Sequence, residues 1–260
     1  MVKSTLGRVI RRCLEVAPSS TQTWLARETN LAQGKGWGSF TVRQEVEASL
    51  SLLPAGHRDT PVVLDVGANV GEWALAMNNA SPRATVYAFE PGAESFAVLA
   101  NRFVGYSSVH VVNSAVSNSV GTALLWSDRS GSALSSLSKR QMEHFGVEFE
   151  HSEPVQVVTL DSWRQEANVD PIILKIDVEG HEMAVLEGAR TVIESVVVVQ
   201  FEFGGCNIDS RTYFRDFWYF FRDIGFRLFR LSPKGLVLVE HYDEAEEVFL
   251  TTNFFAQRIK

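Results

Sequence analysis

Cysteine is scarce in this sequence, and long apolar runs are missing. Cys13 and Cys206 are the only cysteines among 260 residues, and two isolated cysteines make neither a disulfide framework nor a zinc-binding motif. No run approaches the roughly 18 apolar residues of a membrane span. The basic start MVKSTLGRVIRRCLEVAPSS lacks the continuous apolar core of a secretory signal, and it is predicted to form a short amphipathic helix. These absences predict a cytoplasmic protein.

Positive charge is also in short supply. The chain has 24 Lys and Arg against 31 Asp and Glu, a formal net charge of −7, and no dense basic run. Because nucleic-acid binding depends on clustered cations, a nucleic-acid partner is not expected. The composition is otherwise ordinary for a globular protein, with 45% hydrophobic residues, so a packed core is expected. We predict a helical N-terminal extension over residues 1–55 and one α/β domain over residues 56–260.

From residue 61 onward, apolar runs of strand length alternate with stretches of helix length. This alternation is typical of βαβ units that build a parallel sheet. We predict strands over 62–66, 84–89, 109–113, 172–176, 196–201, 226–231, 236–239 and 248–252, and helices over 70–79, 93–103, 161–167 and 182–190. Residues 120–155 break the pattern with a Ser- and Gly-rich stretch, so this insertion is either a solvated excursion or, as we favour, a lid.

The stretch VVLDVGANVGEW, residues 62–73, predicts a ligand-binding turn. A buried strand ends at Asp65, and Gly67, Asn69 and Gly71 then lead into a helix. A glycine at such a turn permits a tight bend and lets a ligand approach the bare backbone. The helix start also presents free amide groups. The spacing is G-x-N-x-G, which differs from the dinucleotide fingerprint G-x-G-x-x-G.

Glu90 follows the second predicted strand, in the motif YAFEP. A carboxylate at this position can accept both hydroxyls of an adenosine ribose, as it does in dinucleotide sites. The alternative is a helix-capping or solvated acid, but in combination with the turn at 67–71 the ribose hypothesis is the stronger one. Asn113 and Ser114 end the third strand, where they either meet an adenine edge or bond turn backbone, and the sequence does not choose between these roles.

The motif LKIDVEGHE, residues 174–182, brings further polar side chains to the carboxyl end of a strand. Asp177 leaves a buried strand, at a place where open α/β sheets bind ligands. His181 suits proton abstraction from an alcohol, or is a plain surface residue. Glu179 and Glu182 either belong to the site or complement the dipole of the following helix. Glu202 closes the next strand, where it could bind substrate hydroxyls, bond loop amides or, with Asp177, chelate a divalent cation.

The ordered motifs VLDVGANVGEW, YAFEP, AVS, TLDSW and LKIDVEGHEMAVLEGA make the sequence resemble the FkbM-type methyltransferases from about residue 62 onward. The resemblance implies a class I methyltransferase fold, which is a Rossmann-like, mostly parallel seven-stranded sheet with helices on both faces. It also implies S-adenosylmethionine as cofactor, with its ribose on Glu90 and its sulfonium end facing Asp177. The implied cofactor contacts are Asp65, Gly67, Asn69, Gly71, Glu72, Glu90, Ser114 and Asp177.

The leading hypothesis is an O-methyltransferase that acts on a hydroxyl of a sugar, a glycan or a small natural product. Asp177 and His181 are the candidate catalytic residues, and Glu179 and Glu202 are the candidate substrate contacts. A divalent cation held by Asp177 and Glu202 is a less favoured alternative. The Asn/Asp-Pro-Pro-aromatic tetrapeptide of many amino-group methylases is missing after Ile176, which favours oxygen as the acceptor.

Two hypotheses of other kinds compete with this one. A nicotinamide-dependent oxidoreductase would use a similar fold, but its glycine fingerprint is absent. The other is a non-catalytic module that binds S-adenosylmethionine without turnover. The intact group of ionisable residues Asp177, Glu179, His181 and Glu182 argues against it. The aromatic stretch 213–221 predicts a helix that packs into the core. Together with the N-terminal extension, this helix is a candidate contact of a homodimer.

Overall fold

The computed structural model describes residues 2–38 and 42–259. Residues 1 and 39–41 of the predicted N-terminal extension, and residue 260 of the predicted α/β domain, lie outside the described residues. Three helices precede the first strand: α1 (Val2–Val16), α2 (Ser19–Ala32) and α3 (Val42–Leu52). The helix predicted at the start is therefore present as α1. In α3, Val46 and Leu52 are buried in the core cluster that includes Val63 of the first strand. None of the helices in the described part of the chain has both the length and the apolarity to cross a membrane.

Eight strands of the described residues form the main sheet, in the order β10-β9-β11-β8-β7-β1-β2-β3. They are β1 (Val62–Val66), β2 (Thr85–Phe89), β3 (Val109–Val112), β7 (Ile173–Ile176), β8 (Val198–Phe203), β9 (Phe226–Ser232), β10 (Gly235–Val239) and β11 (Thr252–Arg258). The five neighbouring strands β3, β2, β1, β7 and β8 are parallel to one another. β11 pairs antiparallel with β8 and with β9, and β10 pairs antiparallel with β9. The prediction of a mostly parallel sheet is confirmed. The strand number of seven is wrong, because β10 folds back on β9 at Pro233 and Lys234 and adds an edge strand.

Helices cover both faces of this sheet, as predicted. They are α4 (Glu72–Ala80), α5 (Ala93–Arg102), α6 (Leu160–Ala167), α7 (Glu182–Glu187), α8 (Val192–Ser195), α9 (Cys206–Ser210) and α10 (Phe214–Asp223). α3, α4 and α5 pack on one face, and α6, α7, α8 and α10 pack on the other. In α10, Phe214, Phe217 and Phe221 are fully buried, and Phe217 stacks on Phe201 of β8 at 4.7 Å between ring centroids. The aromatic helix is therefore part of the core.

The insertion at 120–155 begins with a strand where the strand-like stretch 120–126 predicts one, and it is part of a second sheet. A second sheet contains β4 (Ala115–Val116), β5 (Gly121–Ser127) and β6 (His151–Val158), and β5 pairs antiparallel with β6 over its whole length. The Ser- and Gly-rich stretch is the long connection between β5 and β6. It is tied back to β5 by a bridge between Trp126 and Ser136.

The strand predicted at 248–252 is misplaced, because β11 begins only at Thr252 and runs to Arg258. The prediction relied on the apolar residues between 248 and 252, but these residues form a tight turn, in which the amide of Leu250 donates to the carbonyl of Val248. β11 instead lies between β8 and β9, where Phe254 and Phe255 are buried on opposite faces of the sheet. The helix predicted at 182–190 ends early, at Glu187.

Candidate active site

The turn after β1 is fixed against the ends of two neighbouring strands. The amides of Gly67 and Ala68 donate to the carbonyl of Phe89, at 3.1 and 2.8 Å. Gly67 has a positive φ of 76°, and a Cβ there would lie 1.8 Å from the carbonyl oxygen of Asp177. Only glycine fits this position, because a side chain would both strain the backbone and overlap the end of β7. The bend predicted at Gly67 is thus set by close packing between strand ends.

Glu90 lies at the mouth of this turn, as the ribose hypothesis requires. Its Oε2 accepts the amide of Asn69 at 2.9 Å, and its Oε1 accepts the amide of Gly92 at 2.9 Å. Burial raises the pKa of Glu90 to about 7, although the amides of Gly92 and Asn69 oppose this shift. A carboxylate oxygen has two lone pairs, so each oxygen can still accept one hydroxyl.

A buried lysine supports the turn from below. Lys175 of β7 places its Nζ 2.9 Å from the carbonyl oxygen of Gly67, 3.0 Å from Asp65 Oδ1 and 3.5 Å from Asp177 Oδ2. Although burial alone lowers the pKa of Lys175, the two carboxylates hold it above its usual value. Asp65 is fully buried and lines neither of the cavities described below, and burial raises its pKa. Its position indicates that it acts through Lys175 rather than on a ligand.

A cavity of about 210 Å³, partly open to solvent, lies over the carboxyl ends of β1, β2 and β7. Four carboxylates and one imidazole line it, and none of its described lining residues is Lys or Arg. These five side chains come from Glu90, Asp177, Glu179, His181 and Glu202. The sheet edge has therefore brought together residues that lie more than a hundred positions apart in the chain.

A second cavity, of about 170 Å³, lies on the other side of the same turn. Gly67, Asn69, Asp177 and Glu202 line both cavities, whereas Glu72 lines only the second. Gly71 lines neither in the described residues: with a φ of 82° it precedes α4, and a Cβ there would lie 2.6 Å from the side chains of Leu99 and Phe103. The turn thus lies between two cavities, and Asp177 and Glu202 are the carboxylates that line both of them.

The polar residues after β3 divide between the two roles that the sequence left open. The side-chain amide of Asn113 donates to the carbonyl oxygens of Glu90 and Pro91, at 2.9 and 3.1 Å. Asn113 therefore bonds turn backbone. Ser114 lines the first cavity and is available to a ligand there.

Glu182 does not belong to the cavity lining, and its contacts are structural. Its Oε1 accepts the amides of Gly180 and Val178, at 2.9 and 3.3 Å, and its Oε2 accepts the side-chain amide of Asn207 at 3.2 Å. It is fully buried, and burial raises its pKa to about 7. Glu182 fixes the loop that carries Glu179.

Glu179 and Glu202 form the acidic wall of the cavity. One ligand atom each of Glu179, Glu202 and Cys206 lie within 4.8 Å of one another. Burial and then the charge of Asp177 raise the pKa of Glu179 to about 7, and they raise that of Glu202 well above its ordinary value. Burial also raises the pKa of the Cys206 thiol, so the thiolate that a metal prefers is disfavoured.

Glu202 is a wall carboxylate whose ionised form is disfavoured, first by burial and then by the charge of Asp177. Its folded-state pKa is raised, so the protonated form stabilises the fold below the ordinary value of 4.5, and this contribution is lost as pH rises through the folded-state pKa. We expect Glu202→Gln to raise the melting temperature of the free protein by at least about 2 °C at about pH 8, with a smaller gain at about pH 5. Thermal scans with the exposed-site variant Glu194→Gln as control test this expectation. An unchanged or lower melting temperature at the higher pH would refute it.

His181 precedes α7 and lines the cavity. Its Nε2 lies 2.9 Å from Ser117 Oγ. Burial lowers the pKa of His181 below its usual value, against the opposing charge of Glu187. The imidazole is therefore neutral near pH 7 and can accept a proton. When Nε2 donates to Ser117, Nδ1 carries the lone pair that would do so.

Two functional features had little or no signal in the sequence. Arg140, in the insertion, pairs with Glu179 Oε2 at 2.6 Å and lies 3.5 Å from Asp209 Oδ2, and no motif marks it. Lys175 had a weak signal in the sequence, since a cation within an apolar strand requires a buried partner. The insertion also supplies a wall of the first cavity through residues 132–137, and Ser136 Oγ donates to the carbonyl of Glu179 at 2.9 Å.

Comparison with known proteins identifies relatives of the chain. The sequence profile of a family described as the methyltransferase FkbM domain matches residues 65–228. The chain is 29% identical to the hexuronic acid methyltransferase AglP of Haloferax volcanii over 185 residues, 70% of this chain and 72% of AglP. It is 26% identical to the 2-O-methyltransferase NoeI of Sinorhizobium fredii over 181 residues, 65% of this chain and 71% of NoeI.

Solved structures with a similar fold are more distant in sequence. The precorrin-6y C5,15-methyltransferase of Geobacter metallireducens is 11% identical, with a TM-score of 0.46 over 82% of this chain and 87% of its own. An S-adenosylmethionine-dependent O-methyltransferase of Thermotoga maritima is 11% identical, with a TM-score of 0.41 over 82% of this chain and 65% of its own.

Proposed function

The chain belongs to the FkbM methyltransferase domain family, and we propose that it transfers a methyl group from S-adenosylmethionine to a hydroxyl of a saccharide. The observation that carries this proposal is the pairing of Glu90 with the turn at Gly67 at the edge of one cavity. The name of AglP supports a sugar acceptor, and that of NoeI specifies oxygen as the methylated atom.

The residues at the turn fit the adenosyl part of the cofactor. Glu90 has two oxygens already oriented by backbone amides, each with a lone pair left for a ribose hydroxyl. Gly67 and Asn69 line the same cavity as Glu90, and Ser114 lies on the cavity wall where a base edge could bond. We assign the contacts of the cofactor with the chain to Gly67, Asn69, Glu90, Ser114 and Asp177, with Glu72 in the second cavity.

When bound, the cofactor supplies a methyl group that is activated by a sulfonium. The tasks of the chain are to align the acceptor oxygen and to remove its proton. We assign proton removal to His181, because its lowered pKa leaves a neutral base at the cavity wall. Asp177 and Glu202 accept hydrogen bonds from the acceptor hydroxyls, and Glu179, held by Arg140, borders the same space.

The charge of the cavity bears on the choice of acceptor. Glu90, Asp177, Glu179 and Glu202 line it; Arg140 offsets the charge of Glu179 and Lys175 that of Asp177 from behind, but no Lys or Arg is itself among the described lining residues. Carboxylates accept hydroxyl hydrogens well and repel another carboxylate. A neutral saccharide therefore fits better than a hexuronic acid, which the name of AglP specifies for that protein.

A labelled-methyl assay over neutral and acidic glycosides tests the proposal. We expect transfer to neutral hydroxyl acceptors and weaker transfer to uronides. Preferred methylation of uronides would contradict the charge argument, and cofactor binding without transfer to any hydroxyl would contradict the proposed reaction. Turnover that is unaffected by a chelator would exclude the alternative in which Asp177 and Glu202 hold a cation.

Glu90 offers the sharpest test of the cofactor assignment. Because hydrogen bonds to a charged group each contribute about 1.5–3 kcal/mol, we expect Glu90→Ala to weaken S-adenosylmethionine binding at least about tenfold. Wild-type affinity should also rise with pH through about 7, since the ionised form accepts the hydroxyls better, and this dependence should shrink in the variant. Calorimetry on both proteins measures these effects, with Glu194→Ala as a control at an exposed site. Equal affinities for wild type and Glu90→Ala would remove Glu90 from the site.

A further inference from the structure

The first helix presents an apolar face that nothing in the described chain covers. Every described side chain of α1, from Leu6 to Val16, is exposed. Among them are large apolar residues, with Leu6 at 59% and Ile10 at 50% exposure. Exposed apolar residues are ordinary when scattered, but an aligned set marks an interaction surface.

Helical spacing sorts the residues of α1 into two faces. Leu6, Val9, Ile10 and Leu14 follow the i, i+3, i+4, i+8 pattern and form one stripe. The opposite face is basic, with Arg8, Arg11 and Arg12 against a single acid, Glu15. By comparison, α10 is just as amphipathic in pattern but buries its apolar stripe in the core. The stripe of α1 therefore belongs to an interaction outside the described chain.

We propose that α1 docks this protein on an anionic membrane surface, lying in the plane of the interface. An apolar stripe with an arginine-rich opposite face matches the layering of such a surface, since the stripe enters the acyl boundary while the long side chains of the polar face keep their guanidinium groups at the level of the phosphates. The chain as a whole has a net charge of −7, so α1 is the part that an anionic surface attracts and the body is the part that it repels.

A second copy of the chain is a poorer occupant. A symmetric pair of α1 helices would place the apolar stripe of each against the other, so the arginines on the opposite faces would point away from the contact and take no part in it. The bodies of two copies, each with a net charge of −7, would also repel each other. The inference is independent of the proposed reaction, since no residue of α1 lines either of the two cavities at the turn.

Flotation of the full chain with lipid vesicles tests the proposal. We expect binding to vesicles of phosphatidylcholine with phosphatidylglycerol, at least about tenfold weaker binding to phosphatidylcholine alone, and loss of binding at high salt. Ile10→Asp should abolish flotation, and Arg11→Glu with Arg12→Glu should reduce it at least about tenfold. Val104→Asp, at an apolar residue 75% exposed outside α1, should float like wild type.

Two results would overturn the inference. One is absence of flotation with the anionic vesicles, or equal flotation of wild type and Ile10→Asp. The other is a dimer in sedimentation experiments that Ile10→Asp dissociates while vesicles remain unbound, which would assign the stripe to a second copy. Because α1 is exposed along its described length, these variants should keep the circular dichroism spectrum and cofactor affinity of wild type.

Discussion

Replacing Gly67 with alanine is expected to remove cofactor binding and to destabilise the fold. The added Cβ would lie 1.8 Å from the carbonyl oxygen of Asp177, which is backbone and cannot rotate away. The turn must move, and Lys175 and Phe89 lose the Gly67 groups that they bond. We expect a loss of about 3 kcal/mol or more in the free energy of unfolding. Affinity for S-adenosylmethionine should fall at least about a hundredfold, because the amide of Asn69, which orients Glu90, moves with the turn.

Gly105→Ala is the matched control for this substitution. Gly105 also has a positive φ, 88°, but nothing lies within 4 Å of a Cβ built there. The variant should therefore cost only about 1 kcal/mol, for the left-handed backbone alone, and should bind the cofactor like wild type. Thermal unfolding and calorimetry on the pair separate backbone strain from overlap. If the two variants behaved alike, the close approach of Gly67 to β7 would have no special role.

His181→Asn is expected to lower kcat by about a hundredfold, which is the usual contribution of a positioned general base. In wild type, kcat should rise with pH while His181 loses its proton, with an inflection below about pH 6.5, and then level off. That inflection should be absent from the variant, and the affinity for S-adenosylmethionine should be close to that of wild type. A pH–rate profile under saturating substrate makes the measurement.

Two further variants give the His181 test its controls. His151→Asn, at an exposed histidine of β6, should leave the profile unchanged. Ser117→Ala removes the partner of Nε2, so it should lower kcat less than His181→Asn does while keeping an inflection at a shifted pH. If His181→Asn kept the wild-type inflection, the imidazole would not be the base, and the proton would pass to Asp177.

Local patterns in the sequence were sufficient for the parallel part of the fold. β1 matches its predicted bounds, and the ends of β2 and β7 match theirs, because an apolar run ended by a polar residue marks where a buried strand leaves the sheet. Since such ends meet at one edge, Glu90, Asp177 and Glu202 could be predicted to share a site. The same logic failed at β11, whose position between two other strands depends on pairing that lies far away in the sequence.

Long-range contacts also explain what the sequence could not provide at the site. Arg140 reaches Glu179 only because β5 and β6 carry the insertion back over the sheet edge. Glu182 looked like a site residue by its neighbours along the chain, but Asn207 and two amides take its carboxylate. The division of the chain at residue 55 and the homodimer stay predictions.

All of these assignments depend on the proposal that the turn at Gly67 and the carboxylate of Glu90 hold the same adenosyl ligand. A crystal structure with S-adenosylhomocysteine would test this directly. We expect both ribose hydroxyls within hydrogen-bond distance of Glu90, with the amino-acid end passing the backbone of Gly67 toward Asp177. A nucleoside bound away from Glu90, or seated on another edge of the sheet, would contradict it.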